Sequence, residues 1–413
     1  MNWWETDFVS VRANRLLVAG RDAAALADRH GTPLFVYGRE RILERYARLE
    51  DALARHAAVP GRICYAMKAN PHRGILGLLR RRGAWIDAVS PREVAAALRA
   101  GFPPERVLYT GTSVSRADLR AVFAVEGLTV NIDAAEQLDL MAEVKRDFPT
   151  RPNRVSVRWN PGIGRGFNAR VITAGRRSSD GTPIKFGVEA KKVLGVFARA
   201  RKLGFLPVGL HQHLGSGWVR EDFPMVCGAV DRMVRQAREL EKAGYALEFL
   251  DFGGGFGPRY SRGQAIFPVE DHIAHIARSV ERAGLAVKAL AIEPGKYLVG
   301  DAGVLLLGVE YVKESYGNLF ACVDGGTFNT VPRPAIYLQA RHEIVNAGRV
   351  DGPRRARVTV AGNLCETGDV FGRERLLPLP RRGDVLAVLC AGAYCRSMAS
   401  NFNLREIPRE ILI

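Results

Sequence analysis

The sequence has 413 residues, of which 47% are apolar and 25% are charged, a composition typical of a water-soluble globular protein. This length exceeds what one ordinary hydrophobic core supports, so we expect two domains. No run of about 18 apolar residues is present, which excludes a transmembrane helix. The first residues lack a basic segment followed by an apolar one, so we expect no signal peptide and no membrane partner.

The formal net charge is +17, with arginine spread along the whole chain. A basic protein can bind nucleic acid, but this sequence has only short clusters such as Arg80-Arg81-Arg82 and no basic tail or aromatic-interleaved basic module. We therefore expect anionic small ligands and no nucleic-acid partner. The six cysteines form no CxxC pair and no metal-ligand spacing, which predicts a cytoplasmic protein without a metal site.

Three regions follow one another along the chain. Residues 1–32 contain a β-type pattern, FVSVRANRLLVAG, and we expect them to join a β domain formed later in the chain. In residues 33–298, short apolar runs alternate with amphipathic helical stretches. The candidate strands are PLFVYG, RICYAMK, WIDAVS, RVLYTG, LTVNID, RVSVRWN, PVGLHQHLG, LEFLDFGGG and ALAIEPG. Such βα repeats predict a parallel sheet, and about eight of them favour a closed (β/α)8 barrel of the TIM type.

After residue 299 the pattern changes. GVLLLGVEYVKES, LFACVDGG, RVTVAG and DVLAVLCAGAY are rich in β-type residues with few helical stretches between them. Residues 299–413 therefore predict a C-terminal antiparallel β domain.

Polar residues stand at the ends of several candidate barrel strands. Active-site residues of such barrels lie at the carboxyl ends of the strands, so we expect these side chains to converge on one face. They are Lys68, Ser90, Asn160, His213, Gly253 to Gly255 and Glu293.

This set suits pyridoxal 5′-phosphate (PLP). The stretch DFGGGFG offers bare backbone N–H groups for a phosphate, although it is neither the GxGxxG fingerprint nor a Walker loop. The amine of Lys68 can form a Schiff base with an aldehyde, and Glu293 can keep a pyridine nitrogen protonated. His213 could stack on the ring, so we expect PLP as the cofactor.

Seven motifs in a fixed order extend this reading to nearly the whole chain. They are YAMKAN, HQHLGSG, DFGGGFG, EPGKYLVGDAG, VDGGTFNTVPRPAIY, CETGDVF and GAYCRSMASNFN. With them the chain resembles the fold-type III PLP-dependent decarboxylases, the diaminopimelate and ornithine decarboxylase group, and is most similar to the diaminopimelate decarboxylases. The resemblance implies a PLP-binding barrel plus a β domain, assembled as a homodimer with shared active sites.

The resemblance also implies a role for individual residues. Those implied for cofactor binding are Lys68, His213, Ser216, Gly253, Gly254, Gly255, Glu293 and Tyr394. Those implied for contacts with an amino-acid substrate are Lys296, Arg333, Tyr337 and Glu366. Lys68, His213 and Glu293 would also be catalytic, and Cys365 would protonate the α-carbon after CO2 leaves. Cys365 and Glu366 would act across the dimer interface.

The implied reaction is α-decarboxylation of meso-2,6-diaminopimelate to L-lysine, and three alternatives stay open. A sibling decarboxylase could act on a carboxylated polyamine, a basic amino acid, or an amino-acid adduct of a siderophore or antibiotic pathway. A racemase is disfavoured, because alanine-racemase-type enzymes place an arginine at the pyridine nitrogen where this chain has Glu293. A non-catalytic PLP binder would be expected to lose Lys68 or Cys365.

The chain departs from the family pattern in several places. The family's EPGR is EPGK here, so Lys296 keeps the charge but loses the planar fork that suits a carboxylate. HQHLGSG stands where HCHIGSQ is common, and Cys395 and Arg396 stand where small residues are usual. The loop at 174–184 is lengthened, which indicates either a solvated loop or a lid whose arginine pair faces an acidic substrate.

Overall fold

The computed structural model describes residues 2–149, 153–352 and 355–413. Over these residues the strands are β1 (Val9–Arg12), β2 (Arg15–Val18), β3 (Arg21–Asp22), β4 (Leu34–Tyr37), β5 (Gly61–Ala66), β6 (Trp85–Ala88), β7 (Val107–Tyr109), β8 (Thr129–Ile132), β9 (Arg154–Asn160), β10 (Val188–Glu189), β11 (Leu206–His211), β12 (Phe249–Asp251), β13 (Ala289–Ile292), β14 (Gly303–Ser315), β15 (Asn318–Val323), β16 (Ile344–Asn346), β17 (Arg355–Ala361), β18 (Val370–Pro378), β19 (Val385–Val388) and β20 (Arg409–Leu412). The α-helices of the same ranges are α1 (Ala23–His30), α2 (Arg39–His56), α3 (Arg73–Arg81), α4 (Pro91–Arg99), α5 (Arg116–Phe123), α6 (Gln137–Lys145), α7 (Val193–Lys202), α8 (Phe223–Lys242), α9 (Val269–Arg282), α10 (Lys296–Val299) and α11 (Arg333–Ile336).

The chain forms two compact units. The barrel unit comprises Tyr46–Gly257 and Ala265–Gly295, and the β unit comprises Met1–Arg45, Pro258–Gln264 and Lys296–Ile413. Among the described residues, no helix is long and apolar enough to cross a membrane.

The barrel unit contains a closed parallel sheet. Its eight strands, all within the described residues, run in the order β5, β6, β7, β8, β9, β11, β12, β13. The sheet closes because β13 pairs with β5, and β9 pairs with both β8 and β11. Helices connect the strands, because parallel strands need long crossover connections. Strands that are covered on both faces consist mostly of apolar residues. The predicted (β/α)8 barrel is confirmed.

Apolar and aromatic side chains fill the barrel at the amino ends of its strands. Cys64, Leu108, Val208, Phe249, Ala289 and Ala291 form a buried cluster there. The guanidinium of Arg62 lies 4.1 Å from the ring centroid of Trp85 and 5.3 Å from that of Phe249. Because side chains fill this end, we expect the active site at the carboxyl ends of the strands.

The long strand β14 organises the β unit. It pairs antiparallel with β4 and β19 through its first half and with β15 through its second. Leu306 of β14 is fully buried and lies in one core with Leu16 and Val18 of β2 and Leu26 of α1. The amino-terminal segment therefore supplies part of this core.

The predicted place of PLFVYG is wrong. Its strand β4 pairs antiparallel with β14 and parallel with β20, and does not enter the barrel. All four residues of β4 are buried, and a short apolar run looks the same in a barrel strand and in a central strand of another sheet. Lys296, which the sequence places in the barrel region, also falls in the β unit.

The sheet of the β unit is mainly antiparallel, but it is mixed. β15 pairs with β17 and β20 pairs with β4 in parallel. Parallel pairing needs a long connection between the two strands, and such long-range partners are not visible in local sequence patterns.

We expect Leu306→Ala to destabilise the β unit by about 2 to 5 kcal/mol, because Leu306 is fully buried and its truncation opens a cavity in the core. The matched control Leu376→Ala removes a leucine that is 55% exposed and should change stability by less than about 0.5 kcal/mol. Urea unfolding followed by circular dichroism measures both. Equal midpoints for the two variants would contradict this account of the core.

Candidate active site

Lys68 lies just beyond the carboxyl end of β5, in a short 3-10 helix, Met67–Ala69. Its Nζ donates a hydrogen bond to Oδ2 of Asp87, a fully buried residue of the neighbouring strand β6. Burial and then the charge of Glu293 raise the pKa of Asp87, while Lys68 opposes this shift. The lysine at the end of an apolar run is therefore the counter-ion of a buried carboxylate.

Two of the predicted strand-end residues have structural tasks. The Ser90 hydroxyl caps α4 by accepting a hydrogen bond from the backbone N–H of Glu93 at 3.2 Å. The Asn160 side chain accepts from the Gly175 N–H at 2.8 Å and donates to the carbonyl of Phe186 at 3.1 Å. Asn160 thus holds both ends of the lengthened loop.

That loop closes on itself. Arg177 donates to the carbonyl of Gly181 at 2.7 Å, and the Ile184 N–H donates to the carbonyl of Arg176 at 3.2 Å. One guanidinium of the predicted arginine pair is therefore engaged inside the loop, while Arg176 is exposed.

Glu293 follows the last residue of β13 and is only 4% exposed. Its Oε1 lies 3.2 Å from Nε2 of His211, and its Oε2 lies 3.9 Å from Nδ1 of His213. Burial opposes the charged form of this carboxyl, but His211 and Lys68 outweigh it, and the pKa of Glu293 is lowered. Glu293 is thus a buried carboxylate that stays ionised.

His213 is held as a neutral imidazole. Its Nδ1 accepts a hydrogen bond from the backbone N–H of Gly254 at 3.2 Å, which places the ring proton on Nε2. Burial lowers the pKa of His213 to about 3, and the neighbouring charges of Lys68 and Arg158 act in the same direction. An uncharged ring can stack on a flat cofactor without bringing a further charge.

The glycines after β12 allow a close approach of two backbone segments. A Cβ on Gly254 would lie 2.1 Å from the carbonyl oxygen of Glu293, and Gly255 adopts a φ of +125° that favours glycine. The Gly253 N–H donates to Oδ1 of Asp251 at 2.9 Å. Within the described ranges, the Gly255 N–H and the hydroxyl of Ser216 have no hydrogen-bond partner, so both remain as donors for a phosphate.

The barrel residues fit PLP. Oε1 of Glu293 is buried without a hydrogen bond to any described residue, since the nearby Nε2 of His211 is poorly aligned with it. An ionised carboxylate whose buried oxygen has no hydrogen-bond donor can accept a hydrogen bond from a protonated ring nitrogen and stabilise its charge. Lys68, at the same ends of the strands, offers the amine that an aldehyde needs.

Sequence reasoning missed four charged or titratable side chains near this carboxylate. They are Asp87, Arg158, His211 and Asp251, and each is buried on a barrel strand. For Asp87, His211 and Asp251 the available signal was a single polar residue in an otherwise apolar strand, whereas Arg158 is one of several polar residues of β9. One donor atom each from His211, Asp251 and Glu293 lies within 4.8 Å of the others, the spacing of a cation site.

The β unit contains a second cluster of predicted residues, built on the ring of Tyr260. Nζ of Lys296 lies 5.9 Å from this ring centroid and 5.7 Å from that of Tyr394, and Cζ of Arg333 lies 4.6 Å from the Tyr260 ring. Nη1 of Arg333 is 3.4 Å from Nε2 of His342. Burial and the charge of Arg333 hold the pKa of Lys296 well below its usual value.

The remaining predicted residues lie at or near the surface. Tyr337, which ends α11, is half-buried. Cys365 and Glu366 are both exposed in the loop between β17 and β18, where the Cys365 N–H donates to Oδ1 of Asn403 at 2.9 Å. Within the described residues, neither of these two side chains makes a hydrogen bond or an ion pair.

Known proteins resemble this chain over nearly its whole length. A family model described as the pyridoxal binding domain of pyridoxal-dependent decarboxylases matches residues 39–300. A diaminopimelate decarboxylase of Methanothermobacter thermautotrophicus is 40% identical over 403 residues, which cover 96% of this chain and 90% of that protein.

Two solved structures of diaminopimelate decarboxylases also resemble this chain. The diaminopimelate decarboxylase of M. jannaschii in complex with L-lysine has a TM-score of 0.89 at 30% identity, covering 98% of this chain and 93% of that one. The enzyme of Helicobacter pylori, also complexed with L-lysine, has a TM-score of 0.86 at 29% identity, covering 94% and 93%.

We expect Lys68→Met to destabilise the cofactor-free protein by about 3 to 5 kcal/mol near pH 8, because it leaves the Asp87 carboxylate buried and unpaired. The raised pKa of Asp87 lies above its unfolded value, so stability is lost as pH rises between the two pKa values. The deficit should therefore shrink at a lower pH, where Asp87 takes up a proton. Urea unfolding at both pH values measures it.

The double variant Lys68→Met/Asp87→Asn is the control. It removes the unpaired charge and should recover most of the lost stability at the higher pH. A deficit that is equal at both pH values and unrelieved in the double variant would show that Lys68 contributes packing and not charge.

Proposed function

Because the chain belongs to the pyridoxal-dependent decarboxylases, we propose that it removes one carboxylate of meso-2,6-diaminopimelate and releases L-lysine and CO2. The observation that carries this proposal is the 40% identity over 96% of the chain to a diaminopimelate decarboxylase. Structures with TM-scores up to 0.89 that contain L-lysine support the same product. Its cofactor is PLP.

The barrel residues have distinct tasks in this proposal. Lys68 holds the cofactor through its aldehyde, Glu293 pairs with the ring nitrogen, and His213 lies against the ring face. Ser216, Gly255 and their neighbours Gly253 and Gly254 surround the phosphate, with Tyr394 as a further cofactor contact. When bound, the cofactor supplies a sink for the electron pair that is left as CO2 departs.

Glu293 favours decarboxylation over racemisation. Its ionised carboxylate stabilises a positive charge on the ring nitrogen, which makes the ring a strong electron sink. The arginine that racemases of this fold place there would leave the nitrogen unprotonated and the sink weaker. The side chain at 293 therefore supports loss of CO2.

In the β unit, Lys296 and Arg333 are the proposed readers of the substrate's distal carboxylate, with Tyr337 and Glu366 as further contacts. Both cations are buried, at 4% and 3% exposure. A buried carboxylate between them would be compensated by two opposite charges. Because Lys296 replaces the family arginine, a sibling decarboxylase with another distal group is the second candidate.

We also propose a homodimer in the cytoplasm. Cys365 and Glu366 are exposed in their own chain, as expected if they complete the site of a second subunit, where the Cys365 thiol protonates the α-carbon. All six cysteines are free thiols in the described chain, which supports a reducing compartment.

CO2 release tests the substrate. Purified protein with PLP should turn over meso-diaminopimelate at least about 100-fold faster, in kcat/KM, than L-lysine, L-ornithine, L-arginine or carboxynorspermidine. A missing charged contact of this kind costs several kcal/mol. Turnover of another member of the panel above diaminopimelate would favour the sibling decarboxylase.

Trapping by borohydride provides an independent check that needs no substrate. Reduction of the holoenzyme should fix the cofactor to the peptide that contains Lys68, as seen by mass spectrometry. Failure of this reaction would contradict the Schiff base at Lys68. Trapping without turnover of any substrate in the panel would support the cofactor assignment and contradict only the proposed substrate.

Substitution at Lys296 tests the distal contact. Lys296→Met should raise KM for diaminopimelate at least about tenfold with a smaller change in kcat, the result expected when a contact made equally in ground state and transition state is lost. Lys296→Arg should keep KM low. In the wild type, KM should rise with pH as the ammonium loses its proton, because its pKa is lowered, and this rise should be flatter in the arginine variant. Equal KM values for methionine and lysine at 296 would exclude the contact.

A further inference from the structure

His211 is a fully buried histidine that none of the roles proposed above uses. It is the last residue of β11, and its imidazole lies between two carboxyls at the carboxyl ends of β12 and β13. Nε2 is 3.2 Å from Oε1 of Glu293, and one donor atom each of His211, Asp251 and Glu293 lies within 4.8 Å of the others. Among the described residues, neither ring nitrogen of His211 makes a well-aligned hydrogen bond.

The surroundings of this imidazole favour a positive charge on it. The other titratable groups that act on His211 or on its two carboxyls come from several strands of the barrel: Cys64, Lys68, Asp87, Arg158 and His213. Burial lowers the pKa of His211, but the charge of Glu293 outweighs it, so that the pKa is raised.

The two flanking carboxyls do not behave alike. Burial, followed by the charge of Glu293, raises the pKa of Asp251 well above its usual value. The pKa of Glu293 is lowered by its cationic neighbours, with His211 the largest of them. Glu293 is therefore the partner that stays ionised, and the imidazolium is its main compensating charge.

A carboxylate and a pyridine nitrogen compete for one proton. Burial alone makes a carboxylate more basic, and a sufficiently basic Glu293 would take the proton from the ring nitrogen. A neighbouring positive charge makes the carboxylate less basic, so that the proton stays on the ring.

We propose that His211 is a positioning residue that carries a positive charge beside Glu293 and thereby keeps the shared proton on the cofactor's ring nitrogen. The inference rests on the proposed pairing of Glu293 with that nitrogen. His213 cannot perform this task, because Gly254 holds it neutral, and the direct partner of Lys68 is Asp87.

Nitrogen NMR of the holoenzyme tests the proposal. The probe is PLP that carries 15N in its ring, because the chemical shift of a pyridine nitrogen reports directly whether it is protonated. The wild type should show a protonated ring nitrogen across the neutral pH range. His211→Asn should shift the ratio of protonated to unprotonated nitrogen by at least about tenfold, the effect of one unit of pKa.

His272→Asn is the matched control. His272 is also a buried histidine of the barrel unit, but it lies among the rings of Trp218, Phe256 and Phe267, away from this carboxylate. Burial lowers its pKa to about 3, so it is neutral. Its replacement removes a buried imidazole but no charge, and should leave the ring nitrogen protonated.

A second measurement does not depend on the folding of the His211 variant. With 15N-labelled histidine in the wild-type holoenzyme, one imidazole should show the imidazolium pattern at pH values where free histidine is neutral. Glu293→Gln removes the ionised partner of this imidazole and should lower the pH at which the signal titrates. An imidazole at 211 that is neutral near pH 7 overturns the proposal.

The outcomes separate this inference from the function it rests on. An unprotonated ring nitrogen in the wild type would refute the pairing with Glu293. A protonated nitrogen in both wild type and His211→Asn would keep that pairing and overturn the task of His211. Stoichiometric metal in the purified holoenzyme would also overturn it, since a metal ion held by His211, Asp251 and Glu293 would then supply the positive charge.

Discussion

The barrel site depends on the cost of burying charge. Glu293 and Asp87 are carboxyls with almost no contact with water, and an isolated ionised carboxylate in such a place would take up a proton. Each is compensated from another strand: Asp87 by Lys68, which follows the neighbouring strand β5, and Glu293 by His211 of β11, two strands away. The closed sheet makes this possible, because it brings the carboxyl ends of all its strands to one end of the barrel.

The same constraint explains which parts of the site the sequence reveals. Lys68, His213 and Glu293 follow the last apolar residue of a strand, so the change from apolar to polar marks them. Asp87 lies inside β6 and His211 is the last residue of β11, where one polar residue in an apolar run resembles ordinary variation. Their meaning comes from a partner on another strand, and that partner is set by the register of the barrel, for example Ala66 opposite Asp87. Local sequence patterns do not show which residues of two distant strands lie opposite each other.

In the β unit, too, local sequence patterns do not predict which distant segments pair. The alternation of strands and helices predicts the barrel, yet β4 carries the same pattern and pairs with β14, far along the chain. Residues 258–264 form a loop between β12 and α9 that belongs to the β unit and supplies Tyr260. Lys296 and Arg333 both pack near this ring in the folded chain. The motifs EPGK and RPAIY identify the two cations, but local sequence patterns do not show that Tyr260 is their common neighbour.

Burial also gives lysine and arginine different properties at position 296. A guanidinium stays charged in almost any surroundings, whereas the pKa of an ammonium falls when it is buried beside another cation. Lys296 therefore responds to its surroundings as the family's arginine cannot: a bound carboxylate restores its charge, and without one the charge is disfavoured by Arg333. Lysine in place of arginine therefore exchanges a fixed cation for one whose charge depends on its surroundings, so a substitution that looks conservative in charge makes this position sensitive to pH.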